Sequence, residues 1–371
     1  MTDTTPSPKS ARPKSARRGR WRWLKLCLPF VALVAGELTL RVYTWCRGWT
    51  PNCYAAQLRL FRPNEEIGTD LRPGFHMRSG VYSITINSLG LRGPEISREK
   101  ARGVVRVAIV GESSAFGYLV DDADVAARRL EANLRARGLE VEVLNAGVPG
   151  YNLFHSTVRY REVVAPLAPD VVLVYLGWND LAYVVRGPSE LDRFRVRPVA
   201  PGWERLLGQS TLYGLVAYRL LGASARMMPS QIGGTRPTES GAAAFHANLA
   251  RLADLVGASG ARLVVCAQAT AAHPHVSPRL AAVLAHSEED RSDVIWMGMW
   301  LRDREREFAA ERHVPFLDAY DAIPPTEEFL ADYIHLTVAG ERELAEFWTR
   351  KLLPLLAKVR YPPQVRGRSG R

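Results

Sequence analysis

The chain has 371 residues, 47% of them hydrophobic, and a formal charge of +11. That is enough apolar material for one large domain, or one domain with appendages, so a small stapled module and a wholly disordered chain are excluded. The positive charge sits at the ends: residues 1–25 carry eight Lys/Arg against Asp3, residues 358–371 carry five with no acid, and the body between them is close to neutral at −1. A nucleic-acid-binding core is not expected from such a body.

Taken in chain order, a Ser/Pro/Lys/Arg-rich stretch leads through Trp21-Arg22-Trp23 into the apolar segment Leu26–Gly36. This is the layout of a charged n-region before an h-region, with the positive side cytoplasmic. Extended through Tyr43, the segment is about 20 residues long, the length of a membrane span. Within it Glu37 and Arg41 share one helix face and are spaced to pair. Two readings stand: an uncleaved signal anchor, favoured because no small-x-small cleavage site is visible, and a signal peptide cut near Ala35 or Gly36. Both put the main body outside the cytoplasm. Arg17-Arg18 is a poor twin-arginine signal, because the residues after it do not match one. Cys46 and Cys53 lie close together just beyond this segment, and whether they pair is open.

Residues 47–103 are rich in Pro, Gly and charge and read as a small ordered lead-in, with one alternating run, Val81–Ile86, predicted as a strand. From residue 104 the pattern turns to alternating strands and helices. Continuous apolar runs at Val104–Val110, Val141–Leu144, Val171–Leu176, Arg262–Ala267 and Val314–Leu317 are the predicted strands. The predicted helices are Asp124–Arg137, Leu153–Leu167, Ala242–Val256, Asp293–Glu311 and about Val338–Leu356. Strands apolar on both faces and separated by helices predict an α/β fold with a doubly wound, flavodoxin-like sheet of five parallel strands. The segment 181–241 breaks the rhythm with Pro188, Pro198, Pro201, Pro229 and Pro237 and an apolar helix near Leu212–Leu221. It is predicted as a lid or substrate-shaping insertion after the third strand. The expected organisation is thus a basic disordered tail (1–25), a signal anchor or transmembrane helix (26–46), the lead-in (47–103), the main domain (104–357) and a second basic tail (358–371).

Four signals fall where a sheet of this type gathers its strand ends. Ser113 follows the first strand, Asn145–Asn152 with Gly150 the second, Gly177-Trp178-Asn179-Asp180 the third, and Asp332-Tyr333-Ile334-His335 the fifth. Acyl transfer needs a nucleophile, which Ser113 supplies once a base takes its proton. An imidazole is the side chain best suited to that work, which points to His335, and Asp332 is close enough to fix its tautomer. Donors for the oxyanion are the backbone N–H groups of Ser113 and Gly150 and the side-chain amide of Asn179. Taken singly each has a plainer reading: Ser113 as a helix cap, Gly150 as a turn residue, Asn179 as a strand-end cap. Ser114 is the neighbouring alternative nucleophile. His273-Pro274-His275 is read as an exposed loop rather than a metal site, and no metal or cofactor is expected. His155 and His246 are read as packing or surface residues, Asp180 as structural, and Asp318 and Asp321 as loop caps.

Together, Gly111-Glu112-Ser113, Gly150, Gly177–Asp180 and Asp332–His335 resemble the four ordered blocks of the SGNH (GDSL-type) hydrolase family over about residues 104–356. The resemblance implies a Ser/Gly/Asn/His site, with Ser113 as nucleophile, Gly150 and Asn179 completing the oxyanion hole, and His335 with Asp332 activating the serine. Asn87–Glu95 is similar to a segment upstream in membrane-anchored, secreted members. Glu112 departs from the family's Asp, and Trp178 from its more usual Gly, where an indole would narrow the cleft or stack on a sugar. The expected activity is hydrolysis of an acyl ester, such as O-acetyl, on a glycan or lipid. An O-acyltransferase working with a polysaccharide-modification partner is the alternative, and a non-catalytic binding or assembly protein that keeps the fold is a third reading.

Overall fold

The computed structural model describes residues 15–50, 53, 59–189, 202–220, 236–285 and 287–360. Most of both basic tails, and the stretches 190–201 and 221–235 of the predicted insertion, lie outside these described residues. The first element is a 32-residue helix, Ser15–Cys46, whose portion Lys25–Cys46 is long and apolar enough to cross a membrane. At 1.5 Å per residue, its 22 residues reach about 33 Å, close to the thickness of a bilayer's hydrocarbon core. Its apolar side chains, among them Leu26, Phe30, Leu33 and Leu38, are exposed.

The lead-in forms two antiparallel ribbons. Strands β1 (Phe61–Asn64) and β2 (Gly68–Leu71) pair across a turn in which the Asn64 carboxamide accepts the N–H groups of Glu66 and Ile67. Strands β3 (His76–Arg78) and β4 (Ser83–Thr85) form the second ribbon. The strand expected over Val81–Ile86 is confined to β4, because the Ser79 hydroxyl accepts the N–H groups of Val81 and Tyr82 and holds them in the turn. The lead-in has its own apolar core, in which Leu60, Leu71, Phe75 and Ile86 pack against Phe116, Val148 and Tyr151 of the main domain.

The main domain holds the five predicted parallel strands, β5 (Val105–Gly111), β6 (Val141–Asn145), β7 (Val171–Tyr175), β8 (Arg262–Ala267) and β9 (Phe316–Asp318), in the spatial order β6–β5–β7–β8–β9. This is the flavodoxin-like order, whose switch point lies between β5 and β7. Val107, Ile109, Leu173 and Val265 are fully buried, as expected for strands covered on both faces. The closing helix Val338–Arg360 lays Trp348 edge-on against Tyr175 at 5.2 Å. The helix predicted over Leu153–Leu167 is α-helical only to Arg159 and then becomes a wide turn at Tyr160–Val164 and a tight one at Ala165–Leu167. Pro166 explains the break, since it has no N–H to continue the ladder.

Of the insertion, the described residues form helices Leu181–Arg186, Gly202–Leu207 and Thr211–Leu220, the last matching the predicted apolar helix. Thr211–Leu220 packs against the N-terminal helix. Cys46 is exposed at that helix's end, whereas Cys53 is buried in the lead-in core.

Candidate active site

Strand β5 runs into the site through Gly111, where close approach excludes any side chain: a Cβ there would lie 2.1 Å from the carbonyl oxygen of Tyr175 in β7. Glu112 stays extended, and Ser113 opens a short helix, Ser113–Phe116, that the left-handed Gly117 closes. The Ser113 N–H lies in that first turn, where amides lack intrahelical acceptors. Arg92 holds the far end of the turn. Its buried guanidinium donates to the carbonyls of Phe116 (2.8 Å), Gly117 (2.5 Å) and Val120 (2.6 Å) and pairs with Asp122 at 3.0 Å.

The structure brings Ser113, Asp332 and His335 into one line. His335 Nε2 lies 2.8 Å from Ser113 Oγ, and His335 Nδ1 lies 2.7 Å from Asp332 Oδ2. A carboxylate only accepts, so the ring proton belongs on Nδ1, and Nε2 is left to accept from the serine hydroxyl. The other oxygen, Asp332 Oδ1, accepts the N–H groups of Ile334 (2.9 Å) and His335 (2.8 Å), a local turn that the three-residue spacing makes possible. Burial pushes the Asp332 carboxyl up, but the hydrogen bond and charge of His335 and the two backbone donors outweigh it and hold the group below its usual range. The turn is tied to the loop after β8 by Thr270 Oγ1 and Ala271 N–H, both donating to the Tyr333 carbonyl. Ser113 is 8% exposed and His335 5%, with the Tyr118 ring 5.0 Å from the imidazole.

The other blocks meet through a second set of bonds. Gly150 lies in a turn at φ +87°, a left-handed conformation that glycine adopts without strain. The next residue, Tyr151, offers its carbonyl to Asn179 Nδ2 at 2.9 Å, which orients the amide. The Asn179 N–H donates to Glu112 Oε2 at 3.0 Å, linking the end of β7 to the residue before Ser113. Asp180 accepts from the Leu153 N–H (3.1 Å) and the Tyr183 hydroxyl (2.5 Å), a structural tie as expected. Trp178 is only 7% exposed and tilts against Tyr333 at 5.3 Å, so most of its indole packs into the core rather than lying open to a cleft. Ser114 is turned away, its hydroxyl accepting from Gln268 Nε2 at 2.5 Å.

Sequence reasoning missed several supports. Gln268 follows β8 directly; its Nε2 also donates to Glu112 Oε1 (2.9 Å), and its Oε1 accepts the Trp178 N–H (3.0 Å). The rule that located the other blocks, the first polar residue past an apolar strand, would have found it. Arg159 pairs with Asp70 of β2, and both are buried; Tyr151 Oη donates to the Thr69 carbonyl at 2.7 Å. No short-range pattern marks that pairing, since the partners are 89 residues apart.

Burial pushes the Glu112 carboxyl up to about 8, with the charge of Asp180 adding to the effect despite the donors on it. Glu305, buried beneath Gly177, is likewise pushed well above its ordinary value. Among the described residues no three His, Cys, Asp or Glu side chains are grouped to hold a metal ion. His273 is buried against the Tyr320 ring at 4.6 Å and 3.4 Å from Asp321, so it is a packed residue and not the exposed loop position expected. His155 is buried as part of a helix cap with Asn152, and His246 pairs with Glu311 at the surface.

The sequence profile of the GDSL-like lipase/acylhydrolase family matches residues 109–343. Similar solved structures include a lipase/acylhydrolase from Enterococcus faecalis, at 19% identity over 68% of this chain and 96% of that one, with a TM-score of 0.41. An acetylxylan esterase from Geobacillus stearothermophilus is 14% identical over 67% of this chain and 94% of its own, with a TM-score of 0.42. No curated protein matches the chain.

Proposed function

The chain belongs to the GDSL-like lipase/acylhydrolase family and is a serine hydrolase; within that family we propose that Ser113, His335 and Asp332 carry its chemistry. The observation that supports this best is the unbroken line from Asp332 Oδ2 through the imidazole to Ser113 Oγ, with contacts of 2.7 and 2.8 Å. Ser113 Oγ attacks the acyl carbonyl while Nε2 of His335 takes its proton. Asp332 keeps the ring in the required tautomer and stabilises the imidazolium. The N–H groups of Ser113 and Gly150 and the Asn179 amide receive the oxyanion. As the tetrahedral adduct collapses, His335 returns the proton to the departing alkoxide and leaves acyl-Ser113. Water, deprotonated by the same imidazole, then attacks the acyl carbonyl, and the serine leaves with the proton.

The substrate is an acyl ester on a glycan or lipid, with O-acetyl groups as the first candidates. The N-terminal helix serves as an uncleaved anchor, and the catalytic body lies outside the cytoplasm. Transfer of the acyl group to a sugar hydroxyl is the second reading, favoured by the low exposure of Ser113 and His335, which limits the entry of water. A fluorophosphonate probe tests the site. Wild-type protein should be labelled, and Ser113→Ala should lose both the label and about 10⁴-fold or more of its esterase activity. Labelling that persists in Ser113→Ala would remove Ser113 from its role. Incubation with an aryl acetate, with and without oligosaccharide, separates hydrolysis from transfer by the product formed.

A further inference from the structure

The N-terminal helix is joined to the insertion by charged groups in the middle of an apolar segment. Glu37 accepts from the Ser210 hydroxyl (2.7 Å), the Thr211 N–H (3.0 Å) and the Leu212 N–H (2.9 Å). It therefore caps the helix Thr211–Leu220 from another element, satisfying donors that a helix start leaves open. Arg41, one turn beyond, pairs with Glu37 at 2.6 Å and donates to the Gln209 carbonyl at 2.8 Å. An ionised residue in a span is costly and is expected to face a partner inside the bilayer. Here both charges face each other and the polar start of one short helix.

The surfaces around this junction are apolar and uncovered. Trp203, Leu206 and Val216 of the insertion are 64%, 73% and 42% exposed, and Leu38 and Val42 of the N-terminal helix are 58% and 59% exposed. Exposed apolar side chains are thus carried both by the helix of spanning length and by the insertion, whose helix Thr211–Leu220 packs against it. In water they would be a liability; in lipid they need no further partner.

Resting on the anchor reading above, we propose that the insertion segment Gly202–Leu220 is seated in the bilayer beside the N-terminal helix, clamped to it by Glu37. The occupant of its apolar surface is lipid acyl chain. The seating bears on the site, because the far end of the anchor is docked to the lead-in. Thr50 exchanges two hydrogen bonds with Arg78 of β3 (2.8 and 2.9 Å), and Trp49 lies so close under Gly80 that a Cβ there would meet its ring at 2.2 Å. Tyr82 of that ribbon meets Tyr118 at 6.3 Å, and Tyr118 lies on His335. His335 is thus two ring contacts from Tyr82 of the ribbon on which the end of the anchor is docked, so an ester carried at the lipid surface would be presented on the side of the site that faces this ribbon.

The full-length protein in phosphatidylethanolamine–phosphatidylglycerol vesicles tests this, with the exposed Cys27 and Cys46 replaced by Ala and the buried Cys53 and Cys266 kept. Leu206→Cys, Val216→Cys and, as a body control, Val283→Cys each carry a nitrobenzoxadiazole label. Quenching by acyl-chain spin-labelled lipid should be strong at Leu206 and Val216 and absent at Val283. Glu37→Ala should abolish it at Val216 while the protein still co-sediments with vesicles and still takes the fluorophosphonate label. Water-like emission at Leu206 and Val216 in a chain whose intact mass retains residues 1–46 would overturn the proposal and leave the anchor reading standing. A mature chain that begins beyond residue 36 would overturn both.

Discussion

The two sides of the candidate site are built on different scales. On one side Asp332 and His335 are three residues apart, and a single turn sets their geometry, with Asp332 Oδ1 taking two backbone N–H groups and Oδ2 the imidazole. On the other, the donors depend on groups scattered along the chain. Asn179 is aimed by the Tyr151 carbonyl and anchored through its own N–H to Glu112, which Gln268 holds in turn. Tyr151 is itself fixed by Thr69 of the lead-in. The lead-in is therefore more than a spacer between the N-terminal helix and the main domain: its core closes over Phe116, Val148 and Tyr151, residues near Ser113 and Gly150. Damage to the acid–base side should therefore be chemical and local, whereas damage to the donor side should appear as lost stability as well.

The largest effect is expected from Asp332→Asn. Removing the charge and favouring the wrong imidazole tautomer should lower kcat by about 10⁴-fold with little change in the melting temperature. Steady-state kinetics and calorimetry on the same sample check the split. A large loss of stability would show that the turn also holds the fold, and the contrast would fail.

Next is Asp70→Ala in β2, which leaves the buried Arg159 guanidinium without its partner and should cost about 3–5 kcal/mol of stability. Denaturant unfolding measures it. If the lead-in supports the donor side, activity per folded molecule should also fall, because Tyr151 loses a hydrogen-bond partner. A variant as stable as wild type would mean the lead-in is dispensable.

The smallest and most specific effect concerns Glu112. Its carboxyl, pushed by burial up to about 8 from 4.5, keeps its proton in the folded chain between those pH values while the unfolded chain releases it. Its contribution to stability is therefore greatest below pH 4.5 and is lost as pH rises toward 8. Glu341, raised to about 7 by burial, adds a slope of the same sign, so the informative quantity is the difference between wild type and Glu112→Gln. That difference should shrink as pH rises from 4.5 to 8, and a difference independent of pH would contradict the assignment.

By itself the sequence determined whatever depends on near neighbours or on periodicity. The apolar runs specify β5–β9 because strands covered on both faces must be continuously hydrophobic, and the alternation with helices specifies a parallel sheet. Ser113, Gly150 and Asn179 were legible as candidates because each stands in the segment that follows a strand, and Asp332 and His335 because they lie within one turn of each other. The apolar helix of the insertion was legible too, but not its capping by Glu37 from the N-terminal helix. Only the tertiary structure decided which distant groups support the site. The Asp70–Arg159 pair, the hold of Arg92 on the turn after Ser113, the bridge of Gln268 and the burial of Trp178 join residues far apart in the chain. Their partners leave no mark in any short window, because what selects them is the cost of a polar group left alone in a closed interior.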